Sequence, residues 1–186
     1  KKAEWTAIKP DSAGSFRSAA LGSGYLYLTY TSPKNQTAVL VATGHSMVYV
    51  NGAPHAGDMY RYGWMNIPVP LKKGVNEIYI RSAGMGRYAM INARLEFPSK
   101  QLSILKTDPT LPFLVKGESK GELVGGIVVL NTSSTNAKNL SIKITLEGKT
   151  ATTLVPSVHA MMSRKVAITI PVPDAINKGS YGMQLG

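Results

Sequence analysis

The chain contains no cysteine among its 186 residues. A disulfide framework, a thiolate metal site and a cysteine nucleophile are therefore excluded. Long apolar runs are missing too, since a typical one covers only residues 126–130, far short of the roughly 20 residues that span a bilayer. No stretch combines three turns of helical periodicity with capping residues. The sequence therefore predicts neither a membrane-spanning segment nor a helical domain.

Acidic residues are scarce, with ten Asp and Glu against 21 Lys and Arg, giving a net charge of +11. The excess is spread evenly: residues 1–98 hold 11 basic and 5 acidic residues, and residues 99–186 hold 10 and 5. The longest basic runs are the pairs Lys1-Lys2, Lys72-Lys73 and Arg164-Lys165. Nucleic-acid binding favours clustered basic residues, whereas scattered lysines keep a β-protein soluble. We therefore expect no nucleic-acid partner and no membrane insertion.

The two ends of the sequence bear on its origin. It opens on Lys1-Lys2 without an initiator methionine or an apolar signal segment, and residues 181–186 have the pattern of a strand. We expect a mature or trimmed product of an exported protein, periplasmic or extracellular, in which more chain follows Gly186. The absence of cysteine fits a periplasm and the cytosol equally well.

Strand patterns dominate the first half of the chain. In residues 74–81, Ile78 and Ile80 occupy one face while the intervening side chains are mostly polar or aromatic. Asn51-Gly52 predicts a tight hairpin turn, because both residues tolerate positive φ. The predicted strands are residues 24–31, 37–43, 47–50, 74–81 and 88–97.

Pro98 interrupts this pattern, and a second series of strands follows it. The predicted strands are residues 102–105, 121–130, 140–146, 152–155, 166–170 and 181–185. Strands about ten residues apart with polar turns between them are typical of sandwiches. We predict an all-β fold with two β-sandwich domains, residues 1–98 and 99–186. A single continuous barrel is the alternative.

Two segments of the first half carry a family resemblance, residues 47–60 with a Tyr-Val-Asn-Gly hairpin and residues 67–80 with a Leu-Lys-x-Gly-x-Asn-x-Ile-x-Ile pattern. The pattern falls on Leu71, Lys72, Gly74, Asn76, Ile78 and Ile80. It resembles the galactose-binding-like jelly-roll modules found beside catalytic domains in secreted glycosidases and related hydrolases. The resemblance covers roughly residues 20–98. From the residues alone, Asn76 is expected to hydrogen-bond loop backbone where its strand begins.

Residues 99–186 resemble, more loosely, the immunoglobulin-like spacers of exported bacterial enzymes, although the tryptophan and cysteine pair of antibody domains is missing. Together the two resemblances imply an N-terminal jelly roll and a C-terminal immunoglobulin-like sandwich. They imply a non-catalytic accessory segment whose partner is a catalytic domain of the same polypeptide, either a peptidase or esterase of the α/β-hydrolase type or a glycosidase. No cofactor is expected, and calcium is the one metal that the jelly-roll resemblance admits.

The sequence contains a literal Gly-x-Ser-x-Gly pattern centred on Ser119. A nucleophile elbow needs a strand before the serine and a helix after it, whereas Pro112 precedes this one and a β-pattern follows. Asp174 also comes after His159, the reverse of the order in that enzyme class. The ten acidic residues include no aromatic-flanked carboxylate pair of the kind that glycosidases use. We therefore expect no catalytic residue in this chain.

His45, His55 and Asp58 form the only cluster of histidine and carboxylate residues. The spacing His55-x-x-Asp58 suggests two metal ligands in one loop, with His45 as a third. The more ordinary interpretation is that these histidines cap backbone groups or face solvent. We expect no bound transition metal.

The segment from His55 to Trp64 carries the strongest candidate for a binding site. Tyr60, Tyr62 and Trp64 recur at a spacing of two, so in an extended chain their rings lie on one side. Aromatic rings beside polar side chains are the groups that bind sugars. The candidate ligand-binding residues are Asp58, Tyr60, Arg61, Tyr62, Trp64 and Arg87. Two alternatives remain open: the rings form one buried strand face, with Arg61 paired to Asp58, or they seat the neighbouring catalytic domain.

Overall fold

The computed structural model describes residues 4–84 and 89–186. The chain divides into two compact units, with the boundary between Ser99 and Lys100. Within the described ranges all regular structure is strand except one short 3-10 turn, Ala19–Leu21. No helix in these ranges is long and apolar enough to cross a membrane. The predicted all-β sandwich class is confirmed.

The first unit is built from two four-stranded antiparallel sheets. One has the order β1-β8-β3-β6 and the other β2-β7-β4-β5. Its described strands are β1 (Ser15–Arg17), β2 (Tyr25–Ser32), β3 (Gln36–Thr43), β4 (His45–Val50), β5 (Ala53–Asp58), β6 (Asn66–Leu71), β7 (Gly74–Ser82) and β8 (Met90–Glu96). Both sheets turn their apolar faces inward onto one core, with Leu40 and Ile91 from the first and Val48 and Ile80 from the second.

The alternating patterns of β2 and β7 determine which side chains reach that core. The two strands pair along their whole length, with Leu26 opposite Ile80 and Leu28 opposite Ile78. Ile78 and Ile80 are buried, whereas Glu77 and Arg81 are exposed, so the faces predicted from the alternation are confirmed. Because the side-chain period of a strand is two, every intervening residue is directed to the outer surface of the sheet.

Three strands of this unit escaped prediction. β1 has only three residues, and β5 and β6 each contain proline. β6 carries Pro68 and Pro70, and β5 carries Pro54. Proline cannot donate a ladder hydrogen bond and is tolerated mainly at sheet edges. Both strands are edge strands in their sheets, which accommodates the prolines.

The second unit contains two three-stranded antiparallel sheets, β13-β10-β9 and β12-β11-β14. Its strands are β9 (Leu102–Thr110), β10 (Glu122–Asn131), β11 (Leu140–Leu146), β12 (Lys149–Val155), β13 (Met162–Pro171) and β14 (Met183–Leu185). Ile127 and Ile168 of one sheet share a core with Ile144 of the other. All six strands predicted for this half are present, with boundaries shifted by a few residues.

Candidate functional site

The three rings Tyr60, Tyr62 and Trp64, called here the aromatic ladder, lie in sequence order against one another on the surface of the first unit. The Tyr62 and Trp64 rings stack with centroids 4.3 Å apart and planes 16° from parallel. The Tyr60 and Tyr62 centroids are 5.8 Å apart. The side chains are 79%, 58% and 46% exposed respectively. The alternative of a buried strand face is therefore wrong, because the ladder occupies the loop between β5 and β6.

Asp58 fixes the backbone of this loop. It is buried at the end of β5, and its carboxylate accepts hydrogen bonds from two backbone amides, Tyr62 N at 3.0 Å and Gly63 N at 2.7 Å. The Arg61 amide also donates to the Asp58 carbonyl, at 3.2 Å. Hydrogen bonds to a charged acceptor are stronger than neutral ones, so this carboxylate sets the conformation of the segment that carries the rings.

Of the two arginines in the predicted site, only Arg61 is among the described residues. Arg61 is exposed and lies at φ 60°, in the left-handed region. Its Nε is 3.4 Å from where a Cβ on Gly44 would lie, so the guanidinium reaches over the turn between β3 and β4. Asp58 is occupied by backbone amides rather than by Arg61. Arg87 lies outside the described residues.

The stacking of the ladder limits which ring faces a ligand can reach. Tyr62 contacts both Tyr60 and Trp64, and its stacked contact with Trp64 closes one face of each of the two stacked rings to a ligand. The outer faces at the two ends of the ladder are those of Tyr60 and Trp64. A shallow depression of about 230 Å³ adjoins the rings and is lined by Gly57, Asp58, Met59, Tyr60, Tyr62, Trp64 and Met65. This geometry offers stacking surface for one or two sugar rings rather than a long platform.

His45 lies opposite Asp58 in the β4–β5 pairing and is fully buried. Neither ring nitrogen makes a hydrogen bond of good geometry within the described ranges, although the ring lies beside the backbone of Ala56. Burial lowers the pKa of His45, and the charge of Asp58 partly opposes that shift. Burial also lowers the pKa of His55. Both imidazoles are therefore held neutral near pH 7, His45 at the base of the ladder loop.

The proposed grouping of His45, His55 and Asp58 is not formed. His55 pairs with Val48, three positions along the strand from the pair of His45 and Asp58, or about 10 Å. In residues 4–84 and 89–186, no three His, Asp or Glu side chains converge closely enough to hold a metal ion.

Ser119 and four of the acidic residues make structural contacts. Ser119 lies in a turn between β9 and β10, where its Oγ accepts a hydrogen bond from Val115 N at 2.8 Å. A strand does not lead into it and a helix does not follow it, so it lacks the setting of a nucleophile elbow. Four acidic residues make ion pairs with basic side chains: Asp11 with Arg17, Glu96 with Arg94, Asp108 with Lys165 and Asp174 with Lys149.

A second aromatic surface was missed by the sequence reasoning. On the outer face of the first unit, the rings of Tyr27 and Tyr79 lie 4.7 Å apart, and Trp5 contacts Tyr27 with centroids at 6.0 Å. A groove of about 610 Å³, called here the Trp5 groove, runs between residues 4–8 and the start of β2. The outward alternation of Tyr25 and Tyr27 indicated their exposure, but nothing local indicated that Trp5 packs against them.

Among solved structures, several glycosidases are similar to this chain over part of their length. A GH2 β-galacturonidase from Eisenbergiella tayi bound to glycerol is 16% identical, with a TM-score of 0.48, over 95% of this chain and 35% of that one. The exo-chitosanase of Amycolatopsis orientalis is 14% identical, with a TM-score of 0.35, over 80% of this chain and 21% of that one. A β-glucuronidase from glycoside hydrolase family 2 is 16% identical, with a TM-score of 0.31, over 87% and 21%.

The chain thus spans about a fifth to a third of the length of these solved chains. No family follows from identities and TM-scores this low. No protein-family model and no curated protein matches the chain.

Proposed function

We propose that this chain is a non-catalytic accessory segment of a larger exported hydrolase, in which it orients or docks a catalytic domain of the same polypeptide. The observation that carries the proposal is where the reactive side chains lie. The Ser119 hydroxyl accepts a hydrogen bond from Val115 N, and the Asp58 carboxylate accepts hydrogen bonds from two backbone amides. These groups stabilise loops and surfaces, as expected of a scaffold. The jelly-roll and immunoglobulin-like assignments, and the location outside the cytoplasm, belong to the same proposal.

An apolar surface on the second unit supports the docking role. Phe113 is 92% exposed, and its neighbours Leu111 and Val115 are also exposed. Leu111 and Phe113 line a groove of about 400 Å³ together with Leu146 and Tyr181. Exposed apolar patches of this kind mark protein interfaces. A catalytic domain seated here would cover side chains that water now surrounds.

The coding sequence on either side of this chain tests the proposal directly. We expect a hydrolase domain in the same reading frame. Stop codons or unrelated frames on both sides would overturn it. The chain alone, assayed with generic aryl esters and aryl glycosides, is expected to give no hydrolysis above background, and turnover by the purified chain would contradict the proposal independently.

A second function, carbohydrate binding by the first unit, is favoured by the exposure of the aromatic ladder. Rings exposed by about half or more on a loop fixed by Asp58 offer apolar faces at low entropic cost. Arg61 lies between Tyr60 and Tyr62 in the sequence, with its guanidinium over the β3–β4 turn. Ligand identity then depends on which sugar presents an apolar face to Tyr60 or Trp64.

Calorimetric titration with plant and host oligosaccharides tests this second function. Tyr60→Ala and Trp64→Ala are each expected to weaken binding several-fold, because they remove the accessible ring faces. Phe113→Ala is the matched control, since it removes an exposed aromatic ring from the other unit. Absence of binding at millimolar ligand, or equal weakening by the control variant, would reject the carbohydrate site.

A further inference from the structure

The Trp5 groove has an apolar floor and aromatic walls. Phe16, Leu21 and Leu26 belong to the core of the first unit and line its base. The exposed lining includes Trp5 at 61%, Tyr25 at 43% and Tyr27 at 39%. A cavity of about 610 Å³ falls in the usual size range of small-molecule sites. The groove can therefore hold a ligand with an apolar body.

Two of its rings form a corner. The planes of Trp5 and Tyr27 are inclined at 60°, with centroids 6.0 Å apart. Tyr79 also packs on Tyr27, with centroids 4.7 Å apart, so the ring face left open in this corner is that of Trp5, which is 61% exposed. The face of an aromatic ring is the negative end of its quadrupole and attracts a cation within about 6 Å, most strongly for tryptophan. The corner therefore favours a positively charged group.

The charged residue that lines the groove also favours a cation. The groove is lined by the carboxylate residue Glu4 and by no lysine, arginine or histidine among the described residues. This is unusual in a chain whose basic residues outnumber its acidic ones by 21 to 10. Glu77 adds a second carboxylate beside the corner, because it accepts a hydrogen bond from the Tyr27 hydroxyl at 2.9 Å. The nearest basic residue in the register, Arg81 opposite Tyr25, is not part of the lining.

We propose that the Trp5 groove binds an organic cation: a methylated or protonated ammonium group carried on a small apolar or sugar body. Trp5 contacts the cation through its exposed face, and Tyr27 holds the Trp5 ring in place. Glu4 supplies the opposite charge, and the buried residues of the floor receive the apolar part. This site is separate from the aromatic ladder, and it stands whether or not the chain belongs to a hydrolase.

The test uses tryptophan fluorescence with Trp64→Phe, which leaves Trp5 as the only tryptophan of the chain. Choline is expected to change the Trp5 emission saturably in the millimolar range. Its neutral isostere 3,3-dimethyl-1-butanol is expected to bind roughly three- to tenfold more weakly, because it has the same shape without the charge. Equal binding of the two compounds, or no saturation with choline or tetramethylammonium, would overturn the proposal.

Substitutions in the Trp5 groove test whether choline binds there. Glu4→Gln is expected to weaken choline binding roughly threefold to tenfold, and Tyr27→Ala to weaken it at least as much. Tyr27→Phe keeps the ring and is expected to retain most of the affinity. Tyr60→Ala in the ladder is the control and should change nothing. Unchanged binding in both Glu4→Gln and Tyr27→Ala would reject this location.

Two further titrations distinguish the natural source of the ammonium group. Phosphocholine represents a lipid headgroup, and D-glucosamine set against D-glucose represents an amino sugar. Tighter binding of phosphocholine than of D-glucosamine would indicate a lipid headgroup, and the reverse order an amino sugar. In either case D-glucosamine is expected to bind more tightly than D-glucose. Preference for glucose over glucosamine would contradict the assignment.

Discussion

Asn51 Nδ2 donates a hydrogen bond to Asn76 Oδ1 at 2.8 Å, which joins the β4–β5 turn to the beginning of β7. Asn76 is fully buried, and its amide also donates to the carbonyls of Lys72 and Gly74 and accepts from Lys72 N. Asn51 Oδ1 in turn accepts from Glu77 N. One carboxamide pair therefore satisfies backbone groups of the β6–β7 turn and of Glu77, and ties them to the β4–β5 turn.

Replacing Asn76 by alanine should destabilise the first unit by about 2–4 kcal/mol, because several buried backbone groups lose their partner together. Urea unfolding followed by tryptophan fluorescence measures this, since Trp5 and Trp64 both belong to the first unit. Asn35→Ala is the matched control: it removes one exposed hydrogen bond, to Lys73 N, and should cost less than about 1 kcal/mol. Equal effects of the two substitutions would contradict this role for Asn76.

The stability of the first unit should fall as the pH drops below about 6.5. Burial lowers the pKa of His45 and of His55 below their ordinary value of 6.5, so below that pH the unfolded chain binds more protons than the folded one. The stability that these histidines contribute is complete above 6.5 and is lost as the pH falls through the ordinary value. Urea titrations at several pH values between about 7.5 and 5.5, read by tryptophan emission, measure the slope.

Substitution of the two histidines provides the control for this pH dependence. His45→Gln and His55→Gln should each flatten the slope, and the double variant should remove most of it. His159→Gln, an exposed histidine of the second unit, should leave it as it was. A slope that persists in the double variant would assign the effect to other groups.

Removing the carboxylate of Asp58 should release the aromatic ladder. Asp58→Ala loses both bonds to Tyr62 N and Gly63 N, at an expected cost of about 2–4 kcal/mol. The stability of Asp58→Asn should lie between those of the wild type and Asp58→Ala, because a carboxamide offers one acceptor oxygen where a carboxylate offers two. With Trp5→Phe as background, the Trp64 emission should shift to the red in the same order. Wild-type emission and stability in Asp58→Ala would show that the loop is held by other contacts.

Gly57 allows β4 and β5 to approach closely. A Cβ at this position would lie 2.2 Å from the backbone carbon of Ser46, so Gly57→Ala must displace one of the strands, at an expected cost of about 1–3 kcal/mol. Gly52→Ala serves as the comparison: no atom lies within 4 Å, but its φ of +84° disfavours a side chain by about 1 kcal/mol. Thermal unfolding should therefore rank Gly57→Ala as the more damaging change, and the reverse order would be inconsistent with this packing.

The sequence predicted those parts of the fold that depend on periodicity and on turn chemistry. The alternation of β7 and the Asn51-Gly52 turn are both present, with φ values of 49° and 84° in the turn. The hydrogen bonds of Asn76 to loop backbone were also predicted, though not its pairing with Asn51 across 25 positions. β5 and β6 could not be recognised, because the effect of proline depends on whether a strand lies at a sheet edge, which is a tertiary property.

The candidate site was predicted only in part, because part of it depends on tertiary structure. The spacing of Tyr60, Tyr62 and Trp64 predicted that the rings lie together, but their exposure depends on the loop geometry that Asp58 imposes. The contact between Trp5 and Tyr27 joins residues that are distant in sequence and share no motif. Ligand binding by either surface stays a prediction.

The loop that carries the ladder is held by hydrogen bonds to its main chain rather than by contacts of the ring side chains with the sandwich. Asp58 accepts hydrogen bonds from main-chain amides, which every amino acid except proline possesses. The identity of the side chains at the ring positions therefore has little effect on whether the protein folds. Positions 60, 62 and 64 can consequently accept other side chains without compensating changes in the sandwich beneath.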